Sequence, residues 1–475
     1  MRAKFLRLLI LSSFVLVGCN NPFNKKNETE PETEEHQGGE QGGEQGGGEQ
    51  ITPDSYLRKP VNFKMETLLK GGTTPYTIEV NYDDTLFVKD AEVYNKDLSL
   101  LSFGAAVSAT YENWAKDFLT DCEFKNPLSH EMDIEPTENT LGYTLGHKTI
   151  DSSELFAVMI RGHEYKREWV NNFIIGETGD HEGWLARTNE LYANLATYIN
   201  QYKGDNTVKL WIVGYSRAGA ISNMLASLLF RGNQISVVAR DMFVYTFEAP
   251  GGLTEEHATK YANVHNIVNS ADIVTYIPPT QYGLYRAGQD EEIYDANVSA
   301  IVHAWDNQIT IPAFVSTQGT TNDLQFVQYV LSSIFNYDGD ASKTAKTREQ
   351  YVANYQTGLS YSIGLMFAMN PSTRQQMLNA LTSDYMTALT VLGDSSGQSM
   401  ANFLKTYLDM DHITYNNSEL VSVCAVLVKA TGSIFSGILG LYMSDAGKTD
   451  MQRMFNMHYP EVTYCLLNNM HSKLA

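Results

Sequence analysis

The chain has 475 residues, 43% of them apolar, and a formal net charge of −21. That length holds one large domain or two ordinary ones around a substantial core. The acidic balance excludes nucleic acid as a partner, because phosphate binding needs a basic face, and it argues against a broad basic patch for anionic lipid.

The first residues have the pattern of an export signal. Arg2, Lys4 and Arg7 precede an apolar run from Leu8 to Val17, too short to span a membrane by itself. The run ends in Leu16-Val17-Gly18-Cys19, which resembles the lipobox of bacterial lipoproteins. The resemblance implies that residues 1–19 are a signal with lipidation at Cys19. It also implies a mature protein anchored in the cell envelope, exposed outside the cytoplasm. An ordinary secretory signal with a chance cysteine is the plainer alternative. Residues 20–52, rich in Gly, Glu and Gln, have nothing to bury and read as a disordered acidic linker.

From residue 53 the pattern becomes that of a folded domain running to 475. Asp97–Phe118 has helical spacing, Leu141–Ile150 and Leu155–Ile160 read as strands, and His181–Tyr202 reads as a long helix. Val208–Val213, Met242–Phe247 and Val264–Val268 are short apolar runs fit for buried strands. Strands alternating with helices predict an α/β fold with a mostly parallel sheet covered on both faces. From about 283 to 450 the pattern is mainly helical. Within it, Val421–Met443 is long and apolar, but Lys429 near its centre favours a buried or cap helix over a membrane-facing one. Cys122, Cys424 and Cys465 read as buried thiols, one disulfide being the alternative, and no Cys/His cluster has zinc spacing.

The chemistry centres on Gly214-Tyr215-Ser216-Arg217-Ala218-Gly219, set between the 208–213 strand and an apolar helical run at 220–230. Strand, tight turn and helix make a nucleophile elbow: small residues flank the serine, and the helix start offers backbone N–H groups to an oxyanion. In α/β-hydrolases an acid follows the serine in chain order, and a histidine follows the acid. Asp272 stands just past the strand at 264–268, at the sheet edge where such sites lie; a turn or helix cap is its plain alternative. Of the later histidines, His458 lies in a loop ahead of a C-terminal helix and is preferred, with His303 as the alternative. The strand ending in Arg161-Gly162-His163 can offer the backbone N–H of His163 as a second oxyanion donor, beside that of Arg217. The side chain of His163 could instead be a surface or metal-binding histidine.

Several segments between about 150 and 280 together resemble the class 3 (fungal-type) lipases and their bacterial relatives. They are Arg161-Gly162-His163 followed by Trp169, His181-Glu182-Gly183-Trp184-Leu185, the elbow itself, Phe247-Glu248-Ala249-Pro250 where the family has Phe-Gly-Ala-Pro, and Asn269 to Pro279. The order is that of the family. The resemblance implies an α/β-hydrolase fold, a Ser216–Asp272–His458 triad, and oxyanion donors at His163 and Arg217. It implies hydrolysis of acyl esters or lipids without a metal or organic cofactor. Thioesterase, acyltransferase or peptidase chemistry on the same triad, and a non-catalytic surface lipoprotein, are the competing expectations. The sequence departs from the family at His163, which replaces a hydroxyl residue, and at Arg217, which replaces an apolar one. The helical stretch at 283–450 is then an insertion before the catalytic histidine, expected to form a cap.

Overall fold

The computed structural model describes residues 56–473, except 71–73, 135, 138, 164–165, 336–345, 371, 375, 378–379, 381–389, 392 and 443. Cys19 and the linker lie outside the described residues.

An antiparallel hairpin of β1 (Arg58–Met65) and β2 (Tyr76–Asp83) precedes a seven-stranded sheet. Its strands are β3 (Lys125–His130), β4 (Tyr143–Ile150), β5 (Ser153–Ile160), β6 (Thr207–Tyr215), β7 (Met242–Phe247), β8 (Val264–Val268) and β9 (Gln289–Glu292), neighbours in chain order. β3, β4 and β5 pair antiparallel, and β5 through β9 pair parallel. This is the mostly parallel α/β-hydrolase sheet that the alternation of strands and helices predicts.

The apolar runs of β5, β6 and β7 are continuous because both faces of these strands are covered. Leu155, Ala157, Trp211, Val213, Phe243 and Tyr245 pack into one core. Phe156, Val158, Leu210, Ile212, Met242 and Val244 pack into the other. The first core is closed by α1 (Lys96–Ser108), α2 (Glu112–Asp121) and the β1–β2 hairpin. Across it the indole of Trp211 donates to Ser102 Oγ at 2.8 Å. The second core is closed by α3 (Glu182–Tyr202) and α4 (Arg217–Arg231). The single helix expected at 97–118 is thus two. Thr110 Oγ1 takes the carbonyl of Val107 at 2.8 Å, and Tyr111 is extended, which ends the first helix and starts the second.

The cap begins later than residue 283. Gln289–Glu292 is the edge strand of the sheet, and α5 (Val298–Trp305) buries Val298 and Val302 in the first core. Charged residues suit an edge strand, so Gln-Asp-Glu-Glu gives no apolar signal. After α5 come α6 (Asp323–Phe335), α7 (Thr357–Ala368), α8 (Gln398–Met410), α9 (Asn417–Tyr442) and α10 (Asp445–Asn456), and α11 (Pro460–Lys473) returns to the body. Ile363, Met366, Met400, Leu404, Leu420, Cys424 and Val428 form a core of their own with Val170. Asp323 and Arg453 close this layer at its stem with two bonds, at 2.5 and 2.8 Å. Among the described residues no helix is long and apolar enough to cross a membrane, and Cys122, Cys424 and Cys465 are buried free thiols.

Candidate active site

β6 delivers the chain to Ser216 and α4 carries it away, so the whole reversal falls on one residue. Ser216 has φ 57° and ψ −127°, a strained conformation for a side chain with a Cβ. Its N–H donates to the carbonyl of Phe247 at 2.7 Å, which holds the turn against β7. Gly214 is required by crowding: a Cβ there would sit 2.3 Å from the carbonyl oxygen of Ala218.

Asp272 follows β8 and is fully buried. Its Oδ1 accepts from the N–H of Val274 at 2.9 Å, so it caps a short helical turn, as the plainer sequence reading expected. Its Oδ2 lies 2.5 Å from Nδ1 of His458, and Nε2 of His458 lies 2.9 Å from Ser216 Oγ. His458 stands between α10 and α11 and is 4% exposed; Ser216 is 8% exposed. The structure therefore brings Ser216, His458 and Asp272 into one line of contacts. His303 is on α5, where its Nδ1 is 3.1 Å from the carbonyl of Ile309, and it is not part of that line.

The segment Arg161–His163 leaves β5 beside the elbow. A Cβ on Gly162 would lie 2.2 Å from the carbonyl oxygen of Tyr215, so only glycine lets the two backbones approach this closely. The side chain of His163 pairs with Glu66, at the end of β1, and Glu66 also accepts from Tyr111 Oη at 2.7 Å. Arg217 begins α4, with its backbone at the positive end of the helix. Its guanidinium is buried, and Nη1 donates to Glu168 Oε2 at 2.6 Å. Glu168 Oε1 takes Arg161 Nη2 and also accepts from Thr140 Oγ1 at 3.0 Å. One carboxylate with no exposed surface thus ties the strand end before His163 to the first residue after Ser216.

Sequence reasoning passed over Glu168, and also Glu248. Glu248 stands one residue past β7 with φ 50°, a left-handed backbone that favours glycine, in a segment matched to a family pattern that has glycine there. That mismatch was the available signal. Its carboxyl is fully buried beside Asp272; burial first, and then the Asp272 charge, push its pKa up to about 8. His181, at the start of α3, is stacked flat on Trp184 with ring centroids 3.6 Å apart, and burial pushes its pKa down to about 3. It is a neutral packing group at the base of the helix. Among the described residues no group of three His, Cys, Asp or Glu has the geometry to hold a metal ion.

The sheet order, the elbow and the line Ser216–His458–Asp272 define an α/β-hydrolase fold with its serine, histidine and acid in contact. Residues 157–282 match the model of the family described as lipase (class 3). A lipase of Rhizomucor miehei is 25% identical over 182 residues, covering 35% of this chain and 50% of that protein. The chain therefore spans about half the length of this curated relative. Among solved structures, a triacylglycerol lipase described as having a serine protease triad at its catalytic centre is 20% identical. The match covers 43% of this chain and 83% of that one, with a TM-score of 0.33. A propeptide complex of Rhizomucor miehei lipase is 21% identical over 42% of this chain and 68% of that one, with a TM-score of 0.30.

Proposed function

We propose that this protein is a serine ester hydrolase of the lipase or esterase type, cleaving acyl esters through an acyl-enzyme on Ser216. The observation that carries the reading is the unbroken line from Asp272 Oδ2 to His458 Nδ1 at 2.5 Å and from His458 Nε2 to Ser216 Oγ at 2.9 Å. His458 takes the proton of Ser216 as Oγ attacks the ester carbonyl, and the buried Asp272 fixes the tautomer and stabilises the imidazolium. The oxyanion is received by the backbone N–H groups of His163 and Arg217, each such donor being worth about 3 kcal/mol of barrier. His458 then protonates the leaving alcohol, and water attacks the acyl-enzyme by the same route. No step requires a metal or organic cofactor. Cys19 carries the lipid that holds the protein at a membrane surface, outside the cytoplasm, within reach of acyl substrates, and residues 20–52 are the tether.

The test is hydrolysis of short- and long-chain p-nitrophenyl esters by the wild type beside Ser216→Ala. Turnover of at least one ester by the wild type, lost in the variant, is the expected result. No turnover on any chain length refutes the ester-hydrolase reading, and turnover confined to thioesters or peptides moves it to another acyl chemistry.

A further inference from the structure

A buried glutamate in a left-handed backbone is costly in two ways, in strain and in desolvation. Glu248 bears both costs, and its contacts all lead to one place. Its Oε2 accepts from the N–H of Asn269 at 2.9 Å, and Asn269 Nδ2 donates to the carbonyl of Met457 at 3.2 Å. Its Oε1 is 2.9 Å from Thr463 Oγ1, and Thr463 Oγ1 is 2.9 Å from Tyr215 Oη. Tyr215 Oη in turn donates to the carbonyl of His458 at 2.9 Å. Two routes therefore run from one carboxyl to successive carbonyls in the turn that carries His458. The titratable groups facing Glu248 are Asp272 from the turn after β8, His458 from the α10–α11 turn, and Tyr215 from the end of β6.

The hydrogens in this chain can be counted. Thr463 and Tyr215 bring one hydroxyl hydrogen each. With a proton on Glu248, the carboxyl donates to Thr463, Thr463 to Tyr215, and Tyr215 to the His458 carbonyl, so each oxygen has its own hydrogen. Without it, Thr463 turns its hydrogen to the carboxylate, and Thr463 Oγ1 and the His458 carbonyl compete for the single hydrogen of Tyr215. Ionisation also adds a second negative charge beside Asp272.

We infer that Glu248 is a positioning residue which holds a proton at neutral pH and, through Thr463 and Tyr215, fixes the backbone of His458 so that its imidazole stays aligned with Ser216. Its elevated pKa, caused by burial and then by Asp272, agrees with the proton this arrangement needs. The inference rests on the reading of Ser216, His458 and Asp272 as the reacting groups.

The experiment uses the full chain as wild type, Glu248→Gln, Thr463→Val and Thr463→Ser. The rate of Ser216 labelling by a fluorophosphonate, which needs no knowledge of the substrate, is followed between about pH 6 and 10 together with Tm. Wild-type labelling is expected to fall at least about threefold through an inflection near pH 8, as Glu248 loses its proton. Glu248→Gln, neutral at every pH, is expected to label about two- to threefold more slowly at pH 7 and to lack the inflection. Its Tm is also expected to fall less than that of the wild type between pH 6 and 9. Wild-type Glu248 must take up, on folding, a proton that the unfolded chain has lost, so its stability drops with rising pH until the folded carboxyl ionises near pH 8, whereas Gln binds no proton in either state. Thr463→Val should label about tenfold more slowly, and Thr463→Ser should restore most of that loss. An alkaline inflection that persists in Glu248→Gln, or one absent from the wild type, overturns the inference while leaving Ser216 as nucleophile. Absence of labelling in the wild type overturns the reading of the site, and the inference with it. Parallel Tm curves for wild type and Glu248→Gln would show that Glu248 does not titrate here, which also overturns it.

Discussion

Glu168→Gln removes one charge and almost no volume, which makes it a clean probe of how the two sides of the oxyanion site are held. Glu168 binds Arg161 with one oxygen and Arg217 with the other, and both side chains are nearly inaccessible, at 3% and 2%. With the carboxylate gone, two buried guanidiniums lose their common counter-ion. Removing one partner of a buried pair costs about 3–5 kcal/mol, mostly from the charge left unpaired. In a protein of this size that lowers Tm by about 5 °C or more. Arg217→Leu loses a bond of the same kind yet leaves Glu168 balanced by Arg161, so it should cost clearly less, about 1–2 kcal/mol. The order of the two variants is therefore the sensitive readout. In ester turnover, Glu168→Gln should lose at least about 10²-fold in kcat, because both donor-bearing segments lose their tie. The assays are a thermal melt and p-nitrophenyl ester kinetics on the same preparations. If Arg217→Leu proved as destabilising as Glu168→Gln, or if Glu168→Gln kept wild-type Tm and kcat, the account of this ion cluster would be refuted.

Other expectations follow from the same contacts. Gly162→Ala sets a Cβ 2.2 Å from the Tyr215 carbonyl, a backbone atom that no rotamer change can move. It should cost at least about 10²-fold in turnover, and wild-type kinetics would show that the strand end is not held against the elbow. Arg348 donates to the carbonyls of Ile175, Gly176, Thr178 and Gly179, fastening the cap to the segment before α3. Arg348→Ala should speed limited proteolysis of the cap about tenfold or more, with Arg348→Lys between the two; equal cleavage rates would remove this fastening from the account. Cys19→Ser should move the protein from the membrane fraction to the soluble fraction after export, and unchanged membrane association would rule out the lipid anchor proposed for that residue.

What could be read from the sequence was what is local. The elbow is written in consecutive residues because its sharp turn needs glycine at 214 and small residues at 218 and 219. Asp272 and His458 were reachable through chain order and through their places after a strand and in a loop. The partners of these residues were not reachable in the same way. Thr463 meets Glu248 across 215 residues of chain, and Glu168 meets Arg217 across 49, with no periodicity to connect them. Arg217 was recognisable as a charge in an apolar position, but only the fold shows that it turns inward to Glu168. The start of the cap was misplaced for a related reason: β9 is charged and exposed, and a strand without an apolar face leaves no signature. The break between α1 and α2 depends on one threonine hydroxyl competing for a carbonyl, a choice that apolar spacing does not record.

The central claim is that Ser216 is a nucleophile activated by His458, and peptide mass spectrometry after fluorophosphonate treatment tests it most directly. The wild type should carry a single adduct on Ser216, formed at a rate that drops at least about 10³-fold in His458→Ala and stays near wild type in His303→Ala. An unmodified Ser216 in the wild type, or labelling that survives His458→Ala and is lost in His303→Ala, would contradict it.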